Sequence, residues 1–234
     1  MTRENPSEKS LPRTITIDGP AASGKTTVGL MLSKKLGYLC LDTGIMYRAV
    51  ALDVLERGAD PQREDQVTQA AEELTIDVRD SSVADGRQFD VLINGRDRTW
   101  DIRSPEVNAC VSEVSVFPGV RQAMTTQQRK IAERGRVVML GRDVGTVVLP
   151  DADFKIYLEA SLLVRATRRY NEEKNRGNTV TFDEVLASVR HRDEIDSGRK
   201  IAPLKPAADA LIINTDDLNA EQVVDLIWEK MRDC

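Results

Sequence analysis

Histidine, cysteine and aromatic residues are scarce in this chain, and basic residues do not outnumber acidic ones. One histidine, His191, among 234 residues leaves Ser-His-Asp hydrolysis a single candidate base. The three cysteines, Cys40, Cys110 and Cys234, lie far apart with no Cys-x-x-Cys pair. That spacing argues against a disulfide framework or a thiolate zinc site and fits a reducing cytoplasm. Lys and Arg total 33 against 38 Asp and Glu, a formal charge of −5. Without a basic field, neither a nucleic-acid coat nor a membrane-surface binder is expected. No apolar run approaches the roughly 20 residues that span a bilayer, and the opening MTRENPSEKSLPR lacks the apolar stretch of a secretory signal. Hydrophobic residues nevertheless make up 41% of the chain, enough to bury a core, and the length suits one α/β domain with an insertion. A cytoplasmic globular protein is expected.

Residues 1–12 read as a flexible leader and residues 13–234 as a single domain. Short apolar strands are expected at Thr14–Ile17, Tyr38–Leu41, Val137–Leu140, Phe154–Leu158 and Ala210–Ile213, with helices between them. The first helix spans about Thr26–Leu36 and the second about Ile45–Arg57. Ser104-Pro105 opens another as N-cap and first-turn proline, and Thr181–Glu184 and Asn219–Gln222 read as capping boxes. The expected fold is therefore α/β, a five-stranded parallel sheet flanked by helices. Between Leu74 and Trp100 the pattern changes to strands at Leu74–Val78, Phe89–Ile93 and Arg96–Trp100. Asn94-Gly95 there is a type I′ hairpin signal, so a small antiparallel sheet is inserted into the core.

Residues Gly19 to Thr26 read G-P-A-A-S-G-K-T, a complete G-x-x-x-x-G-K-S/T motif between an expected strand and an expected helix. Gly19 and Gly24 allow a tight turn in which successive N–H groups converge on phosphate oxygens, and the helix start adds its positive end. Lys25 would reach the β- and γ-phosphates and the Thr26 hydroxyl would sit on Mg²⁺. The chain is expected to bind a nucleoside triphosphate. A regulatory GTPase is excluded, because neither a D-x-x-G switch nor an N-K-x-D base reader occurs. A motor or helicase is disfavoured, because Leu140 rather than an acid ends the best candidate strand.

A kinase for a small acceptor needs a second anion pocket, and the arginines supply one. Arg48 opens the second core helix, Arg121 follows Phe117-Pro118-Gly119, Arg142-Asp143 follows a core strand, and Arg192 and Arg199 flank Asp196. Planar guanidinium groups suit phosphate bidentately. Arg165 to Gly177 is a candidate lid, with Arg165, Arg168 and Arg169 placed to close on phosphate. His191 reads as a helix-surface residue, since a phosphate monoester is already largely a dianion at neutral pH and needs no base. Two alternatives stay open: a kinase for another mononucleotide or small metabolite, and a non-catalytic nucleotide-binding module.

The stretches LDTGIMYRAVAL, GRDVGTVVLPDADFKIYLEAS and IAPLKPAADALIINT resemble bacterial-type cytidylate kinases, nucleoside monophosphate kinases that transfer the ATP γ-phosphoryl group to CMP or dCMP. The resemblance runs from about Thr14 to the C-terminus and includes an insert in the monophosphate-binding region, here about residues 61–120. It implies ATP as phosphoryl donor, Mg²⁺, small nucleotides rather than nucleic acid or membrane as partners, and a monomer. It implies phosphate-loop contacts from Gly19, Pro20, Ala21, Ala22, Ser23, Gly24, Lys25, Thr26 and Thr27. Asp42, Thr43, Tyr47 and Arg48 match the start of the monophosphate region, with Arg48 on the CMP phosphate. Ser112, Arg121 and Asp143 match cytosine readers, Arg142 and Arg199 phosphate-binding arginines, and Arg192 and Asp196 sugar contacts. Lys25, Arg142, Arg199 and Arg165 form the implied catalytic set. One departure stands out: relatives often carry an acidic residue immediately before Gly-Arg-Asp, where this chain has Leu140.

Overall fold

A computed structural model describes residues 11–233; all of the expected leader except Leu11 and Pro12, together with Cys234, lies outside the described residues. Two sheets are present, and the sequence patterning explains their difference. β1 (Thr14–Asp18), β2 (Leu39–Asp42), β6 (Val137–Gly141), β7 (Phe154–Glu159) and β8 (Leu211–Asn214) form a parallel sheet in the order β2-β6-β1-β7-β8. The inner strand β6 is apolar throughout, and β1 alternates Thr with Ile yet is buried from Ile15 to Asp18, as a sheet covered on both faces requires. Every residue of β6 is buried, and Ile15 and Ile17 of β1 are fully so.

The insert holds β3 (Ile76–Asp80), β4 (Phe89–Ile93) and β5 (Arg96–Asp97), an antiparallel sheet in that order. Its last strand ends sooner than the expected Trp100. The Asn94-Gly95 turn has φ of 50° and 78°, the positive values a type I′ hairpin needs. A helix that the sequence reading did not place, α3 (Glu64–Glu73), precedes this sheet.

The remaining helices are α1 (Lys25–Leu36), α2 (Thr43–Glu56), α4 (Pro105–Val114), α5 (Pro118–Ala132), α6 (Leu162–Asn175), α7 (Phe182–Gly198) and α8 (Ala220–Asp233). Their starts follow the cap chemistry. Ser104 accepts from Val107 N–H with Pro105 in the first turn, and Thr181 and Glu184 cap each other reciprocally. The candidate lid is regular: Arg165–Asn175 lies within α6, which packs on α7, and Gly177 follows with a φ of +80°. None of the described helices is long and apolar enough to cross a membrane.

Sheet register decides what meets at the functional end. Asp18 pairs with Gly141, and Asp42 pairs with Leu140. The carboxyl ends of β1, β2 and β6 thus finish level, and the segments leaving them, Gly19–Gly24, Thr43–Arg48 and Arg142–Asp143, emerge side by side. Open parallel sheets place ligands at such ends.

Candidate active site

The loop after β1 is shaped by backbone conformation. Gly19 has a φ of +150°, and a Cβ there would lie 2.3 Å from the Leu158 carbonyl oxygen, so only glycine fits. Ala22 and Gly24 also take positive φ, 59° and 95°. α1 has no side-chain cap and no acidic residue in its first turn, which leaves its first N–H groups for an anion. Lys25 Nζ curls over this loop, donating to the Pro20 carbonyl (2.5 Å) and the Ser23 hydroxyl (3.3 Å). Burial, then Arg142, holds the Lys25 pKa well below the usual lysine value. A polyphosphate beside it would reverse that penalty. Thr27 is exposed and the other loop residues are buried or half-buried.

The Thr26 hydroxyl donates to Asp42 Oδ2 (3.2 Å), while Asp42 Oδ1 caps α2 by accepting from Gly44 N–H (2.9 Å). A hydroxyl and a carboxylate side by side at the phosphate loop are hard oxygen donors of the kind Mg²⁺ takes together with nucleotide phosphates. The residues present therefore fit the ion. Leu140 contributes no such oxygen. Its side chain fills the seam between β6 and α1, where a Cβ on Gly29 would fall 2.5 Å from its Cδ2. The acid nearest Thr26 comes from the end of β2 instead.

Next to the loop is a cationic cluster organised on one carboxylate. Asp196, buried on α7, accepts from Arg142 Nε (2.8 Å) and from Arg199 Nη2 (2.5 Å). Burial opposes its charge, but Arg142 and Arg199 outweigh that and hold its pKa below the carboxylate range. Arg192 opens onto solvent in the cleft yet is hemmed in by protein. Burial and the neighbouring Arg142 push its pKa down to about 10. Arg48 donates to Asn108 Oδ1 on α4, and burial again works against its charge. The cluster holds more positive charge than its acids neutralise.

At the far side of this cluster Arg121, on α5, pairs with Asp143 at 2.5 Å, both buried. Arg121 also donates to the Ser115 carbonyl (3.2 Å) at the end of α4, and the Ser115 hydroxyl donates to the Ser112 carbonyl (3.0 Å). Ser112 itself is half-buried one turn away. Tyr47 lies under Arg121, the guanidinium 5.4 Å from its ring centre. Burial raises the Tyr47 pKa to about 12. Thr43, matched to the monophosphate region, donates its hydroxyl to the Leu140 carbonyl (2.8 Å), where it joins β2 to β6.

The three lid arginines separate. Arg165 is buried; it donates to the phosphate-loop carbonyl of Ala21 (3.2 Å) and forks onto Asp193 (3.0 and 2.6 Å). Arg168 holds Thr215 at the end of β8 (3.0 Å), and Arg169 pairs with Glu172 and Glu173 on its own helix. Only Arg165 reaches the loop. His191 is exposed on α7, as expected.

The sequence reading missed Asp18, Asn108 and Asp193. Asp18 is the most consequential. It accepts from Val144 N–H (2.9 Å) and Gly145 N–H (2.7 Å), fixing the turn that carries Arg142 and Asp143 to the strand that feeds the phosphate loop. Burial raises its pKa to about 6 against those two hydrogen bonds. An acid closing a buried strand just before the glycine motif was the available signal.

The family profile described as cytidylate kinase matches residues 15–233. The chain belongs to the cytidylate kinase family. It is 49% identical over 220 residues to a cytidylate kinase of Chloroflexus aggregans, covering 94% of each chain. A cytidylate kinase of Caldanaerobacter subterraneus subsp. tengcongensis is 46% identical over 93% of this chain and 94% of its own. A third cytidylate kinase, from Roseiflexus castenholzii, is 46% identical over 96% and 95%. Among solved structures, an uncharacterized protein from Eubacterium ventriosum superposes with a TM-score of 0.52 at 11% identity over 93% of this chain and 97% of that one. It shares the fold.

Proposed function

We propose that the chain transfers the γ-phosphoryl group of ATP to CMP or dCMP, giving ADP and CDP or dCDP. The observation that carries this reading is the order of charge along the cleft. Lys25 has Arg142 and Arg192 as charged neighbours; Arg142 and Arg199 meet on Asp196; and Arg199 in turn neighbours Arg121 and Asp143. A triphosphate end, a cationic middle and a polar, hydrogen-bonding end follow one another, as donor phosphates, acceptor phosphate and base require.

Gly19–Thr27 cradle the donor phosphates, and Lys25 neutralises charge on the transferring group. Thr26 and Asp42 would hold Mg²⁺, which supplies charge neutralisation between β- and γ-phosphates. Arg48 takes the acceptor phosphate, with Arg142, Arg199 and Arg165 stabilising the transferring group. Arg192 and Asp196 bind the sugar, and Ser112, Arg121 and Asp143 bind the base. The acceptor needs no base, since its second pKa lies near 6; positioning and electrostatics carry the step. On the same reading the partners are small nucleotides and the chain works as a cytoplasmic monomer, its net charge of −5 offering nucleic acid no basic field.

ADP release measured with CMP, dCMP, UMP, AMP and GMP in turn tests the proposal. CMP and dCMP should be turned over fastest, and Lys25→Met should abolish most of that turnover in a folded protein. Strong activity on another acceptor, or a fully active Lys25→Met, overturns it.

A further inference from the structure

Gln128 stands two turns after Arg121 on α5, and Arg121, Met124 and Gln128 share the buried face of that helix. It is fully buried, and neither Oε1 nor Nε2 has a hydrogen-bond partner. Buried carboxamides left unpaired are rare, because both the donor and the acceptor have given up water. A methionine of similar length would occupy the same space without that penalty, so filling the core does not account for an amide here. What lies against it does. α2 packs on α5 and carries Tyr47, whose hydroxyl has Arg121, Asp143, Arg199 and Gln128 as polar neighbours, Gln128 near it but without a formed hydrogen bond. Three of these four neighbours are residues of the proposed pocket.

We propose that Gln128 is a positioning residue for the nucleoside pocket: its carboxamide engages the Tyr47 hydroxyl and fixes the ring beneath the Arg121 guanidinium that faces the base. This rests on the reading of Arg121 and Asp143 as base readers. A donor–acceptor amide suits the task, because a phenol can donate to Oε1 or accept from Nε2. With the ring held, Arg121 keeps its plane and Asp143 its partner. Without it the ring can rock, and the acceptor nucleotide loses a rigid wall while the ATP end is untouched.

The experiment compares Gln128→Met, Tyr47→Phe and the double variant, reading kcat and KM for CMP and for ATP, with thermal unfolding of each. Gln128→Met should melt no lower than the wild type, raise KM for CMP by about fivefold and leave KM for ATP unchanged. In the Tyr47→Phe background the same substitution should add less than about twofold, the non-additivity expected of two groups that act as one. An unchanged KM for CMP, equal rises in both KM values, or full additivity overturns the proposal. Gln128→Leu repeats the measurement should the first variant unfold; failure of both to fold assigns the carboxamide to the core and also overturns it. Wild-type turnover of CMP and the KM of Arg121→Met for CMP test the underlying pocket separately, so Gln128 can fail while that reading stands.

Discussion

Arg121 and Asp143 meet in a buried ion pair, Nη2 to Oδ2 at 2.5 Å, joining α5 to the turn after β6. The pair sets out donors and acceptors together. On the proposed reading, an Asp143 oxygen not spent on Arg121 accepts from the cytosine amino group, whereas uracil would present an oxygen of like polarity there. Each mispaired group in such a pocket stays desolvated, which is costly.

Asp143→Asn should therefore lower kcat/KM for CMP by a factor of ten or more, about 1.4 kcal/mol, and reduce the CMP-to-UMP ratio. It should also destabilise the fold by roughly 3–5 kcal/mol, because the Arg121 charge is left buried without its partner. Kinetics on both nucleotides together with denaturant unfolding check this. An unchanged ratio with lost stability would mean that Asp143 holds Arg121 and does not read the base.

Asp18 makes a pH prediction whose sign is opposite to that of an ordinary paired carboxylate. Its pKa is about 3.8 unfolded and about 6 folded, so between these values the native state binds the proton that the unfolded state has released. Stability then falls as pH rises from 4 to 6 and is gained on acidification. The gap corresponds to a contribution on the order of 3 kcal/mol. The unfolding free energy of the wild type minus that of Asp18→Asn should decrease across this window and stay flat above pH 7. A difference that rises with pH would show that the Val144 and Gly145 N–H groups outweigh burial.

The α/β alternation, the inserted hairpin and the phosphate loop were all legible because each depends on local chemistry. Short runs rich in β-branched and apolar residues make buried parallel strands, Asn94-Gly95 makes a tight turn, and Gly19 to Thr26 make an anion cradle. α3 escaped notice although Val67, Ala70 and Ala71 stand at i, i+3 and i+4, because two of the three are alanines and the stripe offers little apolar bulk among charged neighbours. The arginines were visible, but their partners were not. Arg142 and Asp196 are 54 residues apart, and only the sheet register and the return of α7 bring them together. The lid showed the reverse error, since three arginines in one segment looked equivalent until α6 turned Arg165 inward, sent Arg168 to Thr215 and left Arg169 paired along its own helix.

That asymmetry gives the last prediction. Arg165 grips Asp193 on α7 with two nitrogens, and Nη1 also reaches the Ala21 carbonyl of the phosphate loop. Its role is either to stabilise the transferring phosphoryl group or to brace the loop as a strut, and two substitutions separate these. Arg165→Lys keeps a charge but cannot reproduce a planar fork together with the Ala21 contact. Asp193→Asn leaves the guanidinium in place and weakens only the brace. If Arg165 acts on the phosphoryl group, Arg165→Lys should lower kcat by a factor of about ten to a hundred, the usual consequence of displacing a positioned cation. Asp193→Asn should then cost less than about threefold in kcat while lowering the melting temperature, since it loosens a charge-assisted hydrogen bond worth roughly 1–3 kcal/mol. Single-turnover transfer from ATP to CMP isolates the chemical step from product release. Equal losses of rate in the two variants, tracking their losses of stability, would reduce Arg165 to a strut and remove it from the catalytic set.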